Sequence, residues 1–315
     1  MDDTAALPAP TPRGRRSHLD TTAVATLLAC CLIWGLGQVA IKLTLAEVPP
    51  LLQAGARSAG AALLLLAWMR WRGVRLQFGG GVWRGGLWVG LLFAAEFGCM
   101  FYGLQFTTAS RMVVFLYTAP FVVALGMPFI ARSERLAGWQ WAGLVMAFAG
   151  VVWAFAEGFT STRAAPRQWL GDALGITAAV LWGATTLALR ASAVSRVSAE
   201  MALLYQLAVS ALLLSLAGAW AGEVWPVAPR WSTWAVLAFQ IIVITFASYL
   251  AWFWLIAHYP ATQISVFTLL TPMFGLLAGA WLLGEPLTLR LLVALAAVCG
   301  GLWLVSTRGR RPGAT

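Results

Sequence analysis

Few side chains in this sequence are equipped for chemistry, and most of them stand where chemistry is costly. Glu96 lies in the run Leu91-Leu92-Phe93-Ala94-Ala95-Glu96-Phe97-Gly98. A charge near the middle of a bilayer costs ~2.5–3.5 kcal/mol or more, so Glu96 must face protein or a wet cavity. It suits a proton site or a substrate ammonium, and equally a carboxyl hydrogen-bonded to neighbouring helices. Arg57, about two turns into the preceding apolar run, keeps its proton in any protein setting. It suits a substrate carboxylate, a bridge to backbone carbonyls, or a partnership with Glu96. Lys42, the only lysine, and Arg190 stand near the ends of apolar runs, where long cationic side chains reach back to the interface.

Aromatic and helix-breaking residues complete the inventory. Trp34, Phe101, Tyr102, Tyr117, Trp182, Tyr249 and Phe267 fall within or toward one end of apolar runs. Singly they read as packing, whereas several around one cavity would suit apolar, aromatic or cationic solutes. Pro120 and Pro272 interrupt apolar runs and free carbonyls that must find partners, which marks candidate hinges or static kinks. Thr118, Thr268 and Thr271 stand ready to rebond them. Gly275 and Gly279 make a GxxxG suited to close helix packing. Nothing points to catalysis: no Walker A, GxSxG or HExxH pattern is present, and His18 and His258 stand apart. Cys30, Cys31, Cys99 and Cys299 lie inside apolar runs without CxxC spacing and read as small packing residues. No cofactor or metal is expected.

The elements that carry these residues are membrane spans. The chain has 315 residues, 61% hydrophobic and 10% charged, whereas soluble domains carry about 25% charge. Runs of ~20 apolar residues recur, each long enough to cross a ~30 Å hydrocarbon core. A transmembrane barrel would instead show alternating segments of ~10 residues. The expected fold class is an all-α integral membrane protein with spans at about 22–44, 50–69, 85–104, 109–131, 137–156, 169–189, 199–220, 232–256, 262–283 and 287–305. Many of the 18 tryptophans sit near run ends, as an interfacial belt requires. The first run is too long for a cleaved signal and is read as retained.

Of the 21 Lys and Arg, Lys42 and Arg57 lie within spans. Five of the rest (Arg111, Arg163, Arg167, Arg230, Arg290) fall on one side and fourteen on the side of the N-terminus. The positive-inside rule then puts both termini in the cytoplasm, which only an even number of spans permits. The net charge of +10 resides in short loops, which argues against nucleic acid as a partner.

An internal repeat organises the spans. Trp34-Gly35 is followed by Lys42, and Trp182-Gly183 by Arg190, with the cation eight residues after each tryptophan. Leu116-Tyr117-Thr118-Ala119-Pro120 is echoed by Leu269-Leu270-Thr271-Pro272, and Glu134 by Glu285. Five spans per copy is odd, so the second copy must run through the membrane in the opposite sense. The expected organisation is a disordered cytoplasmic tail (1–20), a first repeat (21–157), a periplasmic linker (158–168), a second repeat (169–307) and a basic tail (308–315). Arg57 has Gln206 as its nearest second-half counterpart, so one half alone carries this charge. The first half also has Met127-Pro128, for which the second half has no matching proline.

Trp-Gly with its cation, Arg57, the proline of the fourth span followed by Ser133-Glu134-Arg135-Leu136, and the echo Gly284-Glu285-Pro286-Leu287 resemble the EamA-type drug/metabolite transporter superfamily. Within it the chain is most similar to YddG-type aromatic amino acid and metabolite exporters. The resemblance runs from Thr22 to about Thr307. It implies a ten-helix carrier of the bacterial inner membrane that exports aromatic or hydrophobic amino acids or related metabolites by alternating access, facilitated or proton-assisted, as a monomer or weak dimer without an ATPase subunit. A multidrug or cationic amphiphile exporter, a channel and an intramembrane lipid-modifying enzyme are the alternatives. Substrate is expected between the halves, against Trp34, Gln38, Arg57, Glu96, Tyr102, Tyr117, Trp182, Thr186, Gln206, Tyr249 and Thr271, with Pro120 and Pro272 as hinges or gates.

Overall fold

The computed structural model describes residues 20–130, 138–160, 167–259, 267–268 and 270–306. The tails, the centre of the expected linker and Glu134 lie outside these residues. The described elements are all helical: α1 (Thr21–Thr44), α2 (Pro50–Arg72), α3 (Val82–Gly103), α4 (Ala109–Leu116), α5 (Ala119–Ile130), α6 (Gly138–Thr160), α7 (Gln168–Ala191), α8 (Ala199–Trp220), α9 (Trp231–Phe239), α10 (Ser248–His258), α11 (Leu270–Leu283) and α12 (Leu289–Ser306). Among the described residues eight spans are long and apolar enough to cross a membrane, counting Ala109–Ile130 and Trp231–Leu255 as one each. Two shorter apolar helices, Leu270–Leu283 and Leu289–Leu304, complete about ten. Below, the N face is the one on which α1 begins, and the far face is the one on which it ends.

Two spans depart from continuous helix. The fourth, expected to run through 109–131, breaks between α4 and α5 because Pro120 has no N–H to offer. Thr118 repairs the break: its hydroxyl donates to the Phe115 carbonyl at 2.7 Å and its amide to the same oxygen at 3.0 Å. The eighth contains a π-helical segment, Gln240–Ala247, between α9 and α10. Its wider turn leaves the Gln240 carbonyl to the Thr245 hydroxyl, which donates at 2.8 Å. The Gln240 side chain is buried against α1 and α2, donating to Ala40 O at 3.2 Å and Thr44 Oγ1 at 2.9 Å and accepting from Gln53 at 3.3 Å. Pro272 falls in the first turn of α11, where a missing N–H costs little.

The two halves interlock rather than sitting side by side. α1 packs on α11, α2 on α8, α3 on α7 and α8, α5 on α7, and α6 on α12. The two Trp-Gly pairs have one and the same packing use. A Cβ on Gly35 would stand 2.8 Å from the Gly275 backbone nitrogen, and one on Gly183 would stand 2.5 Å from Val122 Cβ and 3.1 Å from the Ala119 carbonyl. Each glycine therefore lets its helix approach the backbone just after a proline-marked helix start, α11 in one case and α5 in the other. Gly35→Val and Gly183→Val are each expected to cost about 1–3 kcal/mol by overpacking. The measurement is thermal unfolding in detergent, and an unchanged midpoint would show that these helices part freely.

Candidate functional site

Several of the residues singled out in the middle of the spans come together between the two halves. Arg57 is seven residues after Pro50 and Glu96 seven before Gly103, so both lie about 10 Å below the far-face ends of their helices. They share a level, within electrostatic reach of each other and of Tyr249. Arg57 is 3% exposed and Glu96 5% exposed. The guanidinium lies over Phe97, 4.3 Å from its centroid, and 5.1 Å from that of Phe101. No ion pair joins Arg57 to Glu96 among the described residues. Arg57 Nε and Glu96 Oε2 are buried without a hydrogen-bond partner among the described residues. Among the described residues Arg57 thus bridges no backbone carbonyls, in contrast to one expectation from sequence.

Aromatic rings wall this charged pair. Trp34 contacts Tyr249 at 6.3 Å between centroids and Trp252 at 5.1 Å. Its indole donates to Ser248 Oγ at 2.8 Å. Tyr117 stands edge-on to Trp182 at 5.9 Å, beside Thr271 and within electrostatic reach of Tyr249. Gln38 touches Met100 Sδ at 3.5 Å, one turn along α3 from Glu96, and its Oε1 is buried without a partner.

Three expected site residues are engaged elsewhere. Thr186 donates to Trp182 O at 3.1 Å and Gln206 to Ala202 O at 3.1 Å, each within its own helix. Tyr102 is 43% exposed against Phe106, at a far-face crevice lined also by Leu45, Glu47, Gln105 and Glu223. Its predecessor Phe101 is the residue under Arg57, since one step turns a helix by about 100°.

The far face holds a polar structure that sequence reasoning missed. Asp172, on α7, is fully buried and receives Arg111 Nε at 3.0 Å, Arg111 Nη2 at 2.7 Å and the Thr107 hydroxyl at 2.5 Å. Arg111 also donates to Glu157 at 2.7 Å and to Ala154 O at 2.6 Å. Three carboxylates cap helices of the opposite half. Glu285 accepts from Ala109 N at 2.7 Å, Ser110 N at 2.9 Å and Ser110 Oγ at 2.7 Å, at the start of α4. Glu223 accepts from Leu51 N at 3.3 Å and Leu52 N at 2.8 Å, at the start of α2. Glu47 accepts from Arg230 N and the Thr233 hydroxyl, both at 2.8 Å, at the start of α9, and pairs with the Arg230 guanidinium. These donors, those of Arg230 foremost, hold the Glu47 carboxyl below the usual carboxylate range. Helix N-termini present unpaired N–H groups, so a carboxylate from the other half is a natural clasp.

Lys42 belongs to the same region. Its ammonium donates to the Thr107 carbonyl and lies within electrostatic reach of Glu285, rather than merely reaching for the interface. These contacts join the two halves on the far face. None of this forms a metal centre: no group of three or more His, Cys, Asp or Glu is placed to hold an ion among the described residues.

Comparison with known proteins agrees with a transport protein. The chain is 28% identical to the uncharacterized transporter YvbV of Bacillus subtilis (strain 168), over 93% of this chain and 94% of that one. It is 26% identical to the uncharacterized transporter sll0355 of Synechocystis sp. (strain ATCC 27184 / PCC 6803 / Kazusa), over 90% and 89%. A solved crystal structure superposes with a TM-score of 0.63 at 23% identity, covering 90% of this chain and 97% of that chain, and so shares its fold. The model of the EamA-like transporter family matches twice, at residues 21–156 and 169–307. With most of its length so matched, the chain belongs to the EamA-like transporter family, and it is a multi-pass membrane transporter, not an enzyme.

Proposed function

We propose that this transporter carries amino acids, with a preference for aromatic or hydrophobic ones, by alternating access between two inverted halves. In this reading it sits in a bacterial inner membrane with both termini in the cytoplasm, the far face is periplasmic, and net movement is export. The observation that carries the reading is the pair formed by Arg57 and Glu96. Two opposite charges are buried at one depth, unpaired with each other, and flanked by Phe97, Phe101, Tyr249 and Trp34. A zwitterion offers the matching charges, a carboxylate for the guanidinium and an ammonium for the carboxylate. The adjoining rings suit an apolar or aromatic side chain. A simple cationic amphiphile would satisfy Glu96 but would place a second positive charge near Arg57.

The test is counterflow in proteoliposomes. Vesicles loaded with unlabelled phenylalanine, tryptophan or leucine are expected to accumulate the labelled solute transiently, with saturation. Absence of counterflow across a broad panel of amino acids, aromatic amines and nucleosides would overturn the proposal. Counterflow confined to carboxylate-free amines would move the assignment to cationic drugs, and flux about a thousandfold faster without saturation would indicate a channel.

A further inference from the structure

The repeat that supplies the two Trp-Gly pairs also supplies the two cations that follow them, and the structure treats these cations differently. Lys42 stands eight residues after Trp34 and donates to the carbonyl of Thr107, the residue thirteen before Pro120. Arg190 stands eight residues after Trp182, and the residue thirteen before Pro272 is Tyr259. The second cation has therefore a spacing-matched partner on the N face. It does not engage it here: Arg190 is exposed and makes no hydrogen bond or ion pair among the described residues. One of two spacing-matched contacts is made, on the far face, where Glu285, Glu223 and Glu47 join the halves.

We infer that Lys42 and Arg190 are reciprocal latches of the transport cycle, Lys42 holding the far face shut and Arg190 holding the N face shut in the alternate state by donating to the Tyr259 carbonyl. This rests on the alternating-access reading above. Lys42 is placed for the task. Thr107, the residue it holds, also bonds Asp172 of the second half, and Glu285, its electrostatic neighbour, caps α4 from the second half. Releasing Lys42, itself bonded within the first half, therefore loosens a corner at which two contacts between the halves meet. The pairing is a positioning one, since neither cation lies among the residues around Arg57 and Glu96.

The experiment is hydrogen–deuterium exchange of the full-length protein in nanodiscs, read at the amides of Ala109 and Ser110. Both donate to Glu285 across the two halves, so a parting of the halves on the far face releases them. A hydrogen bond to a charged group is worth enough to move a two-state population roughly tenfold. Lys42→Ala is expected to speed exchange at these amides roughly tenfold, and Lys42→Arg to restore the wild-type rate. Arg190→Ala is expected to slow exchange at the same amides roughly tenfold, although it lies a full membrane thickness away. That remote effect is one that a local packing role for Arg190 would not produce. Unchanged or faster exchange in Arg190→Ala, or unchanged exchange in Lys42→Ala, overturns the inference. Wild-type counterflow judges the transport reading separately, so the two can fail independently.

Discussion

Replacing Arg57 with glutamine is expected to reduce counterflow of a zwitterionic amino acid by a hundredfold or more without lowering the thermal stability of the protein. The two halves of that expectation follow from one fact. Arg57 is buried, yet it makes no ion pair and donates no hydrogen bond to the protein among the described residues. Its contacts with Phe97 and Phe101 return about 0.5–2 kcal/mol. Taking a guanidinium out of water costs several kcal/mol, so the folded protein without substrate loses little when the charge is removed. Substrate is different, because a buried, hydrogen-bonded charge pair loses ~2–5 kcal/mol when one member is truncated, and about 2.7 kcal/mol is a hundredfold. Arg57→Lys should recover part of the activity, since an ammonium keeps the charge but not the two-pronged geometry. Glu96→Gln should weaken the ammonium end instead, so that carboxylic acids lacking an amine are spared while amines lose affinity. Affinities for phenylalanine, phenylpropionate and phenethylamine, taken from counterflow and competition, check the pattern. Equal losses for all three ligands in both variants would assign Arg57 and Glu96 to structure. Unchanged transport and unchanged pH dependence in Glu96→Gln would make that residue a packing carboxyl.

What the sequence disclosed about this site, and what it concealed, divide along physical lines. Glu96 and Arg57 stood out because a charge in an apolar run is costly enough to demand a reason. Trp34 and Trp182 stood out because the repeat marks them twice, and the structure adds why glycine follows each: α11 and α5 approach too closely for a Cβ. Depth was harder to read. An apolar run shows only that Glu96 is well inside it, whereas the helices as folded put Arg57 and Glu96 at the same distance from the far face. Azimuth was harder still, as Tyr102 shows by standing beside Phe101 in sequence and facing away from Arg57. The far-face network was hidden for another reason. Arg111 reads as a loop cation and Asp172 as part of a helix start, because polar residues near span ends normally find water. Only their meeting across the two halves, with Thr107 and Glu157, converts them into buried partners. Nor does hydropathy carry the π-helical segment, since Gln240–Ala247 is as apolar as the helix around it; the signal was the single Gln240, whose side chain bonds α1 and α2.

That hidden network carries the second large effect. Arg111→Ala is expected to destabilise the protein by about 3–5 kcal/mol, the usual consequence of removing one member of a buried ion pair. Asp172 is fully buried and takes three of its contacts from Arg111 and one from Thr107. Without the guanidinium it keeps a negative charge and one hydroxyl. The Ala154 carbonyl and Glu157 lose donors in the same step, although Thr288 still reaches Glu157 at 3.0 Å. Asp172→Asn should be milder, because the amide oxygen can still accept from Arg111 and Thr107 while Glu157 continues to balance the cation. The order Arg111→Ala far worse than Asp172→Asn is therefore the informative result. It is read as loss of thermal midpoint in detergent, with the yield of folded protein as a second measure. The reverse order would mean that Arg111 is the burdened partner and Asp172 the one that relieves it. Equal, small effects would mean that water enters the far face freely enough to replace either side chain, which the burial of both argues against. Because the network joins α4 to α7, and α6 to α12 through Thr288, the loss should be felt by both halves in one cooperative transition.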